Sequence, residues 1–121
     1  MTEEEMVQSY PELNEQVHSL MQKYARESPD TMEGFMQIHK ASGQDGALTG
    51  KTKELIALGI AICVRCDGCI AFHVHDAIEK GATRDEIVET IGVSILMGGG
   101  PSVVYGSQAL RALEEFLEKK Q

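Results

Sequence analysis

KTKELIALGIAICVRCDGCIAFHVH, Lys51 to His75, decides how this chain is read. Its first half contains an unbroken apolar run from Leu55 to Val64. That run is about half of the ~20 residues a membrane span requires. A helix apolar on nearly every side is buried by neighbours on several sides; in a small domain, part of that cover is expected to come from other subunits. The second half sets Cys63, Cys66 and Cys69 three residues apart and follows them with His73 and His75. Read as ligand spacing, Cys63-x2-Cys66-x2-Cys69-x3-His73 is close to the bacterial iron–sulfur run, with histidine in the fourth place. Read as redox spacing, it is a Cys-x-x-Cys with a histidine one turn later and a third thiol nearby.

On either side of this stretch the chain reads as helices. From Pro11 to Arg26, Leu13, Val17, Leu20, Met21 and Tyr24 recur at helical spacing. Ser28-Pro29 opens a second helix, whose stripe of Met32, Phe35, Met36 and His39 runs to Gly43. SGQDGALTG, Ser42 to Gly50, has loop composition and no period, so a third helix begins near Lys51. Asp67 is placed to cap a fourth helix ending at Gly81. TRDE, Thr83 to Glu86, has the form of a capping box for a fifth, with Ile87, Val88, Ile91, Ile95 and Leu96 as its core face. MGGGP, Met97 to Pro101, breaks the chain before a sixth helix over Ser102 to Lys119, with Leu110, Leu113, Phe116 and Leu117 inward. The expectation is an all-α fold of about six helices, a single domain over 1–121, with no strand-period segment and no repeat.

Composition agrees. Only 5% of the 121 residues are aromatic and none is Trp, so the core must be built from aliphatic residues and methionine, which suits packed helices. A formal charge of −8 and the lack of a basic stripe argue against nucleic acid or an anionic membrane as partner. The acidic start MTEEEM is unlike a secretion signal. Three cysteines within seven residues do not form a secreted disulfide framework. A soluble, cytoplasmic protein is expected.

If the fourth helix starts near Cys66, each residue advances about 100°, so Cys66, Cys69 and His73 fall within an arc of ~60° while His75 points the other way. The first turn offers free amides and the positive end of the helix dipole, which favour thiolate over thiol. On that ground Cys66, nearer the helix start, would be the attacking sulfur. Glu54 stands at the start of the apolar third helix. Withdrawn from water, its carboxylate can take and return protons; exposed, it would only stabilise the helix dipole.

Glu54-x11-Cys66-x2-Cys69-x3-His73, followed by AIEKGATRDEI from Ala77 to Ile87, resembles the carboxymuconolactone decarboxylase superfamily, and within it the alkylhydroperoxidase D (AhpD)-like branch. The resemblance extends over roughly 48–100. It implies an all-helical fold with helices buried between the subunits of a trimer or hexamer, and a thiol peroxidase or disulfide reductase activity. It also implies roles: Cys69 attacks peroxide, Cys66 resolves the sulfenic acid as a disulfide, and Glu54 and His73 relay the proton. This order is the reverse of the one the helix dipole favours. Some peroxidases of the family carry histidine where this chain has Gly68, which weighs against efficient peroxide chemistry more than against disulfide exchange. Members named for decarboxylation typically lack the cysteine pair. No nicotinamide or flavin fingerprint is present, so no cofactor is expected, and electrons would come from a thioredoxin-like or lipoyl dithiol.

Plainer readings stand beside these. Cys63 fits a small buried hydrophobe as well as a third redox thiol or a metal ligand. His75 reads as a surface or interface residue, and His18 and His39 as ordinary helix residues. GGGPS, Gly98 to Ser102, lacks the Lys and Ser/Thr order of a P-loop and reads as a tightly packed helix break. Two alternatives to the redox reading remain: a metal or iron–sulfur protein using Cys63, Cys66, Cys69 and His73, and a cofactor-free decarboxylase of a small lactone.

Overall fold

The structure, a computed structural model, describes residues 8–120, so the acidic start Met1–Met6 lies outside the described residues. Among the described residues six helices follow one another: α1 Tyr10–Glu27, α2 Pro29–Gly43, α3 Gly50–Cys63, α4 Asp67–Glu79, α5 Arg84–Gly98 and α6 Gly100–Lys120. No strand occurs among the described residues. The all-α expectation holds, and among the described residues no helix is long and apolar enough to cross a membrane.

Local chemistry sets the helix starts. Ser9 accepts a hydrogen bond from the Glu12 amide ahead of Pro11, and Thr49 does the same for Thr52. The capping box at Thr83 is complete, with Thr83 Oγ1 accepting from the Glu86 N–H and Glu86 Oε1 accepting from the Thr83 N–H. One expected cap moves. Cys66, rather than Asp67, is the N-cap of α4, and its sulfur accepts the Cys69 N–H at 3.2 Å. Asp67 becomes the first helical residue, where a carboxylate still favours the dipole. The break after α5 is also shorter than its glycines imply. Gly99, in the left-handed region at φ 67°, separates α5 from α6, so α6 starts at Gly100 rather than Ser102. Gly98 is needed for packing, because a Cβ there would collide with Ser102 Oγ.

Helices α3, α4, α5 and α6 pack on one another, and α1 lies along α4 and α6. Their shared core is Leu58 and Ile62 from α3, Ile70 and Val74 from α4, Ile87 from α5 and Leu113 from α6, all fully buried. Not every residue expected inside is there. Val88 and Leu96 are exposed, as are Leu20, Tyr24, Phe35 and Met36. Helix α2 has no fully buried residue and packs on α1 and, lightly, on α3. Its apolar stripe is present but stays largely exposed among the described residues, because periodicity marks which face is apolar and says nothing about what lies against it.

Candidate active site

The link from α3 to α4 positions the site. Val64 ends α3, Arg65 takes a left-handed conformation at φ 60°, and Cys66 opens α4. Positive φ is uncommon for a residue with a Cβ, and here it turns the chain back within three residues so that α3 and α4 pack side by side. Glu54 lies about 14 Å back from the end of α3 and His73 about 10 Å beyond the start of α4, at 1.5 Å per residue. The two therefore come level. His73 Nδ1 meets Glu54 Oε2 at 2.7 Å, and Glu54 is only 8% exposed. The buried reading of Glu54 is the correct one; it is not a solvated dipole partner.

An ionised carboxylate only accepts hydrogen bonds, so against it Nδ1 donates, and in the neutral ring Nε2 then carries the lone pair. At the start of the same helix Cys66 and Cys69 are joined by a disulfide, with Cα atoms 5.2 Å apart. His73 follows Cys69 by four residues, which places their Cβ atoms about 6 Å apart on one helix face. The group that helical phase selected, Cys66, Cys69 and His73, thus shares a face, and Glu54 joins it from α3. This arrangement can open and close a disulfide beside an oriented imidazole.

The remaining candidates go elsewhere. Cys63 Sγ points towards α5 and α6, donating to the Ser94 carbonyl at 3.6 Å and accepting from Ser102 Oγ at 3.8 Å. It also lines an apolar groove of about 760 Å³ between α3 and α5. No group of three His, Cys, Asp or Glu side chains that could hold a metal ion occurs among the described residues. His75 turns away from the cysteines, its ring on edge to Phe116 and its Nδ1 donating to Asp76 Oδ1 at 2.9 Å. It borders a separate cavity of about 340 Å³ with Asn14, whose buried Oδ1 has no partner among the described residues. His18 donates from Nδ1 to the Asn14 carbonyl and packs edge-on against Phe72.

Sequence reading missed one contributor. Tyr10, 2% exposed, donates its hydroxyl to Asp67 Oδ1 at 3.0 Å, across 57 positions of chain. Asp67 stands between the two cysteines. Burial first, then the Asp67 charge, pushes the Tyr10 phenol well above its ordinary value, so it stays a proton donor. The only local hint was a tyrosine placed just before the proline of a helix start.

Comparison with known proteins finds relatives over most of the chain. The chain is 40% identical over 99 residues to an uncharacterized protein of Cupriavidus necator, covering 82% of this chain and 84% of that one. It is 37% identical over 83 residues to uncharacterized protein 4 in the cox locus of Paracoccus denitrificans, covering 69% and 75%. The crystal structure of an apo carboxymuconolactone decarboxylase family protein from Legionella pneumophila superposes with a TM-score of 0.86 at 42% identity, over 88% of this chain and 96% of that one. A Thermotoga maritima protein of the same family, whose involvement in an antioxidative response has been raised, gives 0.79 at 30% identity over 89% and 92%. Residues 29–115, from the start of α2 to near the end of α6, match the family as a whole, and the chain belongs to the carboxymuconolactone decarboxylase family.

Proposed function

We propose that the protein is a thiol–disulfide oxidoreductase of the AhpD-like kind, cycling Cys66 and Cys69 between dithiol and disulfide. The observation that carries this reading is the 2.7 Å contact between buried Glu54 of α3 and His73 of α4, the helix that begins with the cysteines. Buried carboxylate, imidazole and thiol in series form the oriented-base arrangement that activates a nucleophile. Cys69 attacks an oxidised substrate and His73 Nε2 takes its proton. Cys66 then closes the disulfide. With a hydroperoxide, two thiols yield disulfide, alcohol and water; with a disulfide substrate, they yield protein disulfide and two substrate thiols. Gly68 before Cys69 favours the second substrate class. The oxidised pair is returned by a dithiol donor of thioredoxin-like or lipoyl type. The chain works as a homo-oligomer, a trimer or hexamer, which covers the exposed apolar faces of α2, α3 and α5.

Turnover of a small disulfide and of an organic hydroperoxide, measured with a dithiol donor on wild type, Cys66→Ser and Cys69→Ser, tests the reading. Both variants should lose turnover, and Cys66→Ser should accumulate a mixed disulfide on Cys69 detectable by mass. Full activity in both variants on a small lactone would sink the redox reading and leave cofactor-free decarboxylation in its place.

A further inference from the structure

The first turn of α4 carries a feature that the redox reading does not use. An acidic residue, Asp67, follows Cys66 directly and precedes Cys69 by two positions, in the same turn whose free amides favour thiolate. A negative charge there opposes the thiolate that the amides stabilise. Its exposed surroundings leave room to rotate, yet Asp67 Oδ1 is held by the Tyr10 hydroxyl at 3.0 Å.

Tyr10 is itself fixed by two groups that also hold each other. Its backbone N–H donates to Glu115 Oε1 at 2.8 Å, the Arg111 guanidinium lies 4.7 Å from its ring centre, and Arg111 Nη1 pairs with Glu115 Oε2 at 3.2 Å. Thus the start of α1 and the last turns of α6 together aim one hydroxyl at one carboxylate of the redox helix.

We infer that Tyr10 is a positioning residue for the cysteine pair: by donating to Asp67 it turns the carboxylate aside and offsets its charge, keeping the helix start favourable to a thiolate. Both effects have the same sign. Removing the hydroxyl frees Asp67 to approach the sulfurs and leaves its full charge unscreened, and each raises the cost of forming thiolate. His73 and Glu54 keep their own contact, which the Tyr10 substitution does not touch.

The inference rests on the thiol–disulfide reading, but its test needs no substrate. Reduced protein is alkylated with iodoacetamide at pH 7, and the rates at Cys66 and Cys69 are read by mass. Tyr10→Phe should slow the faster cysteine about threefold to tenfold, Asp67→Asn should be at least as fast as wild type, and the double variant Tyr10→Phe/Asp67→Asn should match Asp67→Asn. That rescue distinguishes charge from damage, since a hydroxyl needed only for folding would leave the double variant as slow as Tyr10→Phe. An unchanged rate in Tyr10→Phe, or a double variant that is not rescued, overturns the inference. Absence of turnover with rescue intact would sink the proposed function alone.

Discussion

Two faces of α3 differ sharply although both are aliphatic. Leu58 and Ile62 are fully buried against α4, α5 and α6, while Ile56 and Ile60 are 48% and 58% exposed. The buried face also carries Glu54, held by His73. The exposed face continues into Val93, Leu96 and Met97 of α5, with Leu96 79% exposed. The same residue types thus serve two ends: one face builds the chain's own core around a buried carboxylate, and the other leaves an apolar groove with Cys63 in its wall. Hydrophobicity along the helix reports neither role, because it counts apolar atoms and not the partners that cover them.

The contrast can be broken from the inside first. Leu58→Ala removes a fully buried side chain and should cost about 3 kcal/mol of stability, read as a drop in the denaturation midpoint. Glu54→Gln keeps the shape of the inner face but removes the charge that orients His73. It should lower thiol–disulfide turnover about 100-fold while leaving the far-UV spectrum unchanged; wild-type turnover would mean that the pair is only a packing device.

Smaller effects sharpen the edges. Thr83→Ala removes the cap of α5 and should cost about 1 kcal/mol, measured by urea denaturation. Its partner Glu86 is held below the ordinary carboxylate range by the Thr83 N–H first and Lys51 second. A folded pKa below the unfolded one contributes stability that is present above the unfolded value and is lost as the pH falls through the folded one. The difference in melting temperature between wild type and Glu86→Gln should therefore shrink on acidification, and a gap that widens would contradict the capping role. On the outer face, Ile60→Asp should change the stability of the isolated chain by less than about 0.5 kcal/mol yet shift the gel-filtration mass towards the monomer. An unchanged mass would show that this face is not where copies meet.

Much of the site could be read from local spacing. Cys66, Cys69 and His73 share a face because a helix returns every seven residues to nearly the same direction, and this holds whatever the helix packs against. His75 was set aside by the same phase. Glu54 was different: its position at the head of an apolar helix left burial and exposure equally open, and its link to the cysteines came from resemblance to a family. Cys63 was ambiguous for a related reason. Its spacing matched a metal run, but its direction, towards Ser94 and Ser102, depends on where α5 and α6 lie. The period of α5 puts Ile87, Val88, Ile91, Ile95 and Leu96 on one core face; Ile87 and Ile91 are buried, but Val88 and Leu96 are exposed.

The amino-acid sequence by itself determined the six helices, the complete capping box at Thr83 and Glu86, and the grouping of two thiols with one imidazole. Each of these is settled by interactions within one or two turns of chain. The tertiary structure alone decided that the Glu54 carboxylate is buried and meets His73 Nδ1, that Cys63 faces away, and that Tyr10 reaches Asp67 across 57 positions. Those contacts join segments far apart in the chain, and only the packing of one helix on another brings them within hydrogen-bond distance.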